Sequence, residues 1–557
     1  MTPWRRNALP DRAARERAAR DFATNLVVTA GAGTGKTSLL VERVLNLTVG
    51  ARVPLERIVA ITFTEKAAGD MRVRVAAALE KLWRLCEPGA RGTGDEEAPR
   101  AFRWLREGKG LPAAEIATGA RAALGVLDRA RIGTIHGFCA DLLRRHPRAA
   151  GVDPDFTVDP GPALARRFEE AWQAFLAREL GPSPPRAAAW RRTLARFREP
   201  ALRDLARALA RFRIPLDAID LERMSARASD LLARCEIETE GAPLDETAAR
   251  EAVALLLPFA REFQAAYLRA GHVSLDGLLL LARNLLRDHP AVRRRVRGTL
   301  DALLVDEFQD TDPLQYEIVF FLAEAADGEA EDAYATRLEP GRLFIVGDPK
   351  QSIYRFRNAD MAAYARAVQH VKSGGGEELV LEASFRAPDR VLGPLNDLFG
   401  AIIAPRSDAD LAYEPRYAPI RSAVNARAPA GAGVALWSVG RPGAERVKAP
   451  ERRVDEGRAI ARWIRDEVDA GRLRYGQVAL LLRALTEVER TLRGLQEAAI
   501  PYVLDGGGAF RQRPEVADLL AFLRAAANPN DPVALLAVLR SPVGGCSDEE
   551  LVRLRAE

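Results

Sequence analysis

A chain of 557 residues is longer than the roughly 250 to 300 residues that one hydrophobic core usually organises, so several domains are expected. With 48% hydrophobic and 29% charged residues it has the balance of a folded globular protein, which excludes a disordered or fibrous chain. A formal net charge of +5, set against 82 basic and 77 acidic residues, neither identifies nor excludes a nucleic-acid partner.

In chain order, short β-branched runs at Asn25–Ala30, Ile58–Phe63, Ala302–Val305 and Leu343–Val346 are each followed by a polar or glycine-rich turn, the pattern of buried parallel strands. Apolar residues at helical spacing follow several of them, as at Leu39, Leu40, Val44 and Leu45. Strands and helices therefore alternate, as in a doubly wound sheet. Between about Asp159 and Leu268 the pattern changes to long Ala/Leu/Arg stretches such as Ala201–Phe212, which predict a helical insertion. The run Arg293-Arg294-Arg295-Val296-Arg297 predicts a solvated helix face, with a phosphate-contacting role as the alternative. Glycine, proline and charge mark loops or linkers at Glu87–Glu107, Glu324–Gly341, Gly374–Glu378, Arg427–Gly433 and Gly440–Pro450.

Four cysteines, Cys86, Cys139, Cys235 and Cys546, show no C-x-x-C spacing, and the N-terminus carries no signal-peptide pattern. A reducing, cytoplasmic setting is expected. No apolar stretch reaches the roughly 20 residues a bilayer span needs, so no membrane partner is expected.

The octet Ala30-Gly31-Ala32-Gly33-Thr34-Gly35-Lys36-Thr37 follows a strand and opens a helix, the context of a phosphate-binding loop. Its glycines let backbone N–H groups turn toward an anion. Lys36 supplies a point charge for β- and γ-phosphates, and Thr37 a hydroxyl for Mg²⁺. Farther on, Asp306 and Glu307 follow the apolar run Leu303-Leu304-Val305, at a strand end where open α/β sheets bind ligands. Asp306 is suited to hold Mg²⁺ and Glu307 to orient or deprotonate water, a division of labour that phosphoanhydride hydrolysis requires.

The stretch Asp306-Glu307-Phe308-Gln309-Asp310 also resembles motif II of UvrD/Rep-like superfamily 1 DNA helicases, and further motifs agree in order. Ile61–Ala68 looks like motif Ia, Gly133–Cys139 like motif Ib, Val346–Arg357 like motif III and Ser384-Phe385-Arg386 like motif IV. Ile500-Pro501-Tyr502, Phe510–Asp518 and Leu539–Pro542 are similar to the second motor domain of RecB/AddA-type proteins.

The resemblance implies an α/β fold, a RecA-like P-loop NTPase motor domain with a helical insertion and part of a second RecA-like domain. By position, 1–150 and 265–380 correspond to motor domain 1A, 151–264 to a helical insertion 1B, 381–530 to the first part of motor domain 2A, and 531–557 to the start of a 2B insertion. It also implies ATP and Mg²⁺ as cofactors. In this reading Gln351 senses the γ-phosphate, Arg386 offsets transition-state charge and Phe385 stacks on adenine. Phe63, Tyr354 and Phe356 would stack bases of single-stranded DNA, with Thr62, Thr134, His136 and Arg357 making polar contacts. The implied activity is that of a 3′–5′ DNA helicase or translocase in recombination or double-strand-break repair. Its partners would be single-stranded DNA and duplex ends, with room for a second helicase–nuclease subunit.

The chain departs from the family pattern in places. Ser384 stands where motif IV usually has asparagine, Gly277 follows Asp276 where a second aspartate is common, and no glutamine occurs in residues 1 to 50 to read adenine. Two later ATP-site segments of the family, one with threonine–histidine and lysine–glycine–leucine–glutamate and one with a second arginine, have no counterpart, so a truncated motor is expected. The competing expectation is a non-catalytic subunit that binds single-stranded DNA or a partner and retains its ATP motifs; a kinase lacks support from any acceptor-substrate element.

Overall fold

The computed structural model describes residues 9–89, 96–213, 215–216, 219, 246–355, 359–403, 417–424, 433–439, 449–485, 487–505 and 513–556. The chain divides into two units, Met1–Val434 and Ala435–Glu557.

Among the described residues of the first unit lie ten strands: β1 Leu26–Ala30, β2 Ile58–Thr62, β3 Arg131–Thr134, β4 Thr157–Asp159, β5 His272–Ser274, β6 Ala302–Val305, β7 Leu343–Gly347, β8 Glu377–Leu381, β9 Ala383–Ser384 and β10 Arg421–Ser422. Six of them form one sheet in the order β3-β2-β6-β7-β1-β8. Every neighbouring pair in it is parallel. Successive side chains of a strand point to opposite faces, so each central strand feeds two cores. Val27, Val59, Ile61, Leu303, Val305 and Ile345 face one core, closed by helices Ile135–Arg145, Leu275–Asp288, Pro313–Ala323 and Met361–Ser373. Leu26, Val28, Ile58, Ala60, Leu304 and Phe344 face the other, closed by Arg12–Arg20, Lys36–Leu45, Glu65–Arg84 and Ala113–Gly125. The result is a three-layer α/β/α arrangement, the doubly wound class expected from the strand–helix alternation.

The four strands read from sequence are present, with trimmed edges. Asn25 lies outside β1, but its side-chain oxygen accepts from the Leu343 N–H and its carbonyl from the Glu377 N–H, so it ties the starts of β7 and β8 to β1. The short strands β3 and β8 were not expected, and both are sheet edges. The run Arg131–Thr134 is short and contains glycine, while β8 carries two glutamates and partly exposed positions, so neither has the apolar signature of a central strand. Gly374–Glu378, expected to be a loop, therefore enters β8 at Glu377. Likewise the loop expected over Glu87–Glu107 contains a helix, Glu97–Arg103, whose Ala98 and Ala101 are buried. There Arg100 Nε donates to the buried Glu42 at 2.6 Å.

The expected helical insertion is present as helices Pro162–Glu179, Ala187–Leu194, Glu199–Ala210 and Glu246–Arg269, bracketed by the small parallel pair β4 and β5. Its own core is aromatic, with Phe168, Trp172, Phe175, Trp190 and Phe259 packed together. Both buried indoles are satisfied, Trp172 by Glu199 at 2.8 Å and Trp190 by Glu179 at 3.0 Å.

The expected solvated face of the arginine run is corrected. Arg294 and Arg295 are exposed, but Arg293 and Arg297 are 1% and 2% exposed and converge on Glu324, itself fully buried. Helix Pro290–Arg297 presents residues four apart on one face, so the run contributes both an outer and an inner pair of arginines.

Among the described residues of the second unit the regular elements are helices. Ala449–Asp469 and Val488–Glu497 pack on a small core of Ala461, Ile464, Leu492 and Leu495, and cross where Gly457 and Gly494 leave no room for a Cβ. Pro514–Ala527, Pro532–Arg540 and Asp548–Ala556 follow. No described helix is long and apolar enough to cross a membrane.

Candidate functional site

A parallel sheet places the carboxyl ends of all its strands on one edge, and the loops that leave that edge carry most of the residues singled out from sequence. The loop after β1 holds the glycine-rich octet. Phe63 follows β2, Thr134 ends β3, Asp306 follows β6, Asp348 follows β7, and Arg386 lies beyond β8.

Gly33 and Gly35 have φ of 75° and 85°, a left-handed backbone that favours glycine. Gly35 caps helix Lys36–Leu45, so Lys36 and Thr37 occupy its first turn, where unpaired N–H groups and the helix dipole favour an anion. Thr34 is fully buried and its hydroxyl donates to the Gly31 carbonyl at 2.8 Å, which braces the loop internally.

Opposite the loop, Lys36 Nζ donates to Glu307 Oε2 at 2.6 Å. Glu307 is one of the few non-glycine residues with positive φ, at 51°, a conformation that costs energy and persists where the surroundings dictate it. Its N–H donates to the Asp306 carboxylate at 3.0 Å. Burial, reinforced by the neighbouring Glu307, pushes the Asp306 carboxyl up to about 6. A buried carboxylate beside a second one favours a cation at that place, and the lysine, the loop amides and the Thr37 hydroxyl complete a donor set that fits magnesium and a polyphosphate.

Two residues that sequence reasoning missed hold this arrangement. Gln309, 1% exposed, donates from Nε2 to Glu307 at 2.9 Å and to Asp310 at 3.0 Å, while its Oε1 accepts from the Asp348 N–H at 2.8 Å. Asp348 in turn accepts from Gln351 Nε2 at 2.6 Å and pairs with Lys350 at 3.0 Å. The signal for Asp348 was its place immediately after an apolar strand, the same signal that singled out Asp306.

The segment after β8 closes over the loop. The Phe385 N–H donates to the Gly33 carbonyl at 2.8 Å, and the Ser384 hydroxyl donates to the Ala32 carbonyl at 3.2 Å. A Cβ on Gly33 would stand 2.5 Å from the Arg386 Cβ. Gly33 is thus required both by its φ and by this close approach.

Of the residues read as DNA contacts, Phe63 and Tyr354 are partly exposed and face each other, ring centroids 4.8 Å apart at 33°. Thr62 and Thr134 are 1% and 6% exposed. Their hydroxyls serve the fold in this arrangement: Thr62 donates to the Thr64 carbonyl at 3.1 Å, and Thr134 donates to Glu65 at 2.6 Å while capping helix Ile135–Arg145 through the Gly137 N–H at 3.1 Å. His136, in the first turn of that helix, has its pKa lowered by burial, against the opposing pull of Asp276 and Glu65. Phe356 and Arg357 lie outside the described residues.

Comparison with known proteins agrees with this geometry. The family profile of the UvrD/REP helicase N-terminal domain matches residues 12–372, and that of the UvrD-like helicase C-terminal domain matches residues 436–557. Among curated relatives, DNA helicase II of Escherichia coli is 26% identical over 529 residues, covering 95% of this chain and 56% of the relative. An ATP-dependent helicase/nuclease subunit from Desulforudis audaxviator is 27% identical, covering 95% of this chain and 53% of the relative. The ATP-dependent DNA helicase UvrD1 of Mycobacterium tuberculosis is 26% identical, covering 96% and 54%. The chain thus spans about half the length of the curated relatives it matches. With an N-terminal profile that covers most of the chain and a parallel sheet that carries the matched motifs on one edge, the chain belongs to the UvrD/REP helicase family.

Proposed function

We propose that this chain is an ATP-dependent DNA helicase or translocase module that moves 3′ to 5′ on single-stranded DNA and serves recombination or double-strand-break repair in the cytoplasm. Residues 1–150 with 265–380, 151–264, 381–530 and 531–557 serve as its motor domain 1A, insertion 1B, 2A segment and 2B segment. The observation that carries the reading is the Lys36–Glu307–Asp306 cluster at the mouth of a glycine-rich loop on the carboxyl edge of a parallel sheet.

In this reading the loop amides and Lys36 bind the phosphates, and Thr37 and Asp306 would hold Mg²⁺, which neutralises phosphate charge when bound. Glu307 orients the attacking water and accepts its proton, Gln351 senses the γ-phosphate and Arg386 faces it from the segment beyond β8. Phe385 stacks on the base. Phe63 and Tyr354 stack bases of the DNA strand, and Phe356, His136 and Arg357 complete the track, with Thr62 and Thr134 bracing the backbone behind it. The Desulforudis audaxviator relative is named for its place in a helicase/nuclease, which supports a further partner of helicase–nuclease type.

The test is ATP hydrolysis by the chain with and without single-stranded DNA. Turnover that rises with DNA and disappears in Lys36→Ala supports the reading. Binding of DNA with no nucleotide binding of any kind would replace it with a non-catalytic DNA-binding role.

A further inference from the structure

Helix Arg12–Arg20 begins beside a buried ion pair that the nucleotide chemistry above does not use. Arg15 meets Asp11 fork to fork, Nε to Oδ1 at 2.8 Å and Nη2 to Oδ2 at 2.7 Å. Their side chains are 4% and 2% exposed. Removing two charges from water is costly and is offset only where the geometry is good and the remaining donors and acceptors are also satisfied. Here they are satisfied by backbone from two distant segments. Arg15 Nη1 donates to the Thr34 carbonyl in the phosphate loop at 2.6 Å, and Nη2 to the Ala383 carbonyl beyond β8 at 2.9 Å. Asp11 Oδ2 accepts the N–H groups of Glu382 and Ala383, each at 2.9 Å. The guanidinium also lies over the Phe385 ring, 5.1 Å from its centroid.

The pair therefore joins the loop that cradles phosphate to Glu382 and Ala383, in the segment that leads into Phe385 and Arg386. We propose that Asp11 and Arg15 are positioning residues, a clasp that fixes the Arg386-bearing segment over the phosphate loop and so sets how strongly the site prefers a triphosphate over a diphosphate. The proposal rests on the reading of this loop as an ATP site. In that reading neither residue touches the reacting atoms; both act through Arg386, the residue assigned to the γ-phosphate. Lysine at position 15 would keep the charge and lose the planar fork that serves three partners at once.

Two measurements on the full chain decide the matter. In amide hydrogen exchange without nucleotide, Arg15→Ala and Asp11→Asn are expected to raise exchange in the peptides over 31–36 and 382–387 together, by about tenfold or more, while β2 and β6 remain protected. A rise in one peptide without the other, or in neither, overturns the clasp. In equilibrium titration with ADP and with ATPγS, Arg15→Ala is expected to reduce the preference for ATPγS about tenfold, Arg386→Ala to do the same, and the double variant to add little more. Arg15→Lys, which keeps the charge and guards against a folding defect, is expected to fall between. Equal weakening of ADP and ATPγS, or effects of Arg15 and Arg386 that simply add, would mean a purely structural pair and overturn the proposal. If the wild type bound neither nucleotide, the ATP reading would fall and the role in triphosphate preference with it, whereas the exchange measurement would still decide whether the two segments are clasped.

Discussion

Lys36 Nζ and Glu307 Oε2 stand 2.6 Å apart at the mouth of the glycine-rich loop, so the cation that the proposed function assigns to phosphate is neutralised by the carboxylate it assigns to water. In that proposal an arriving triphosphate displaces Glu307 from Lys36, which frees the carboxylate at the moment it is needed. Glu307→Gln keeps the shape and removes the competing charge. It is expected to bind ATP as tightly as the wild type or a few-fold more tightly, while hydrolysis falls about 10²- to 10⁴-fold, as loss of a general base does. Single-turnover hydrolysis beside equilibrium binding separates the two effects.

The Phe63–Tyr354 pair offers two partly exposed rings in one place. Base–aromatic stacking contributes about 1 to 3 kcal/mol per base. Phe63→Ala and Tyr354→Ala are each expected to weaken binding of an oligothymidylate within that range by fluorescence anisotropy, with little change in melting temperature. Because the rings touch each other, the double variant should lose less than the sum of the two.

Glu324, Arg293 and Arg297 form a buried triad, with carboxylate-to-guanidinium distances of 3.2 Å to Arg293 and 2.5 Å to Arg297. Glu324 Oε1 also accepts the Ala330 N–H at 2.8 Å, so the triad fixes the loop that precedes β7. Glu324→Gln leaves two buried guanidinium groups without their anion and is expected to destabilise the first unit by about 3 to 5 kcal/mol, read by urea unfolding.

Asp312 caps helix Pro313–Ala323 through the Gln315 N–H at 3.0 Å. Burial pushes its carboxyl up from 3.8 to about 6, and the charge of Asp276 adds to the rise. Between pH 4 and 6 the folded chain therefore holds a proton that the unfolded chain has released. This contribution to stability is full at the acid end and is lost as pH rises through about 6. Asn also caps helices well and carries no charge. Asp312→Asn is expected to exceed the wild type in stability at pH 7 by up to about 2 kcal/mol, less than the full shift because the residue keeps some solvent contact, and to lose that advantage near pH 4. Unfolding curves at the two pH values check it.

The parts of this fold that sequence made legible are those that chemistry forces into a local pattern. Central strands buried on both faces must be continuously apolar, so β1, β2, β6 and β7 stood out, and the loop and carboxylates at their ends followed. Edge strands β3 and β8 are half covered and lack that pattern. Arg293 and Arg297 were misread because a run of arginines has no sequence mark for the glutamate it meets after folding. The Asp11–Arg15 pair looks like an ordinary exposed i, i+4 pair until β8 and the phosphate loop bury it. Gln309 sat inside a recognised motif, yet its link to Asp348 joins two strand ends that are adjacent only in the sheet.

The most direct measurement is equilibrium binding of Mg-ATP to the 557-residue chain, wild type beside Lys36→Ala, with and without magnesium. Magnesium-dependent binding by the wild type is expected to fall by at least about a hundredfold when the lysine is lost, as removal of a charge assigned to the β- and γ-phosphates should do. Equal binding by the two proteins, or no binding by a folded wild type, would contradict the claim that this loop is a nucleotide site.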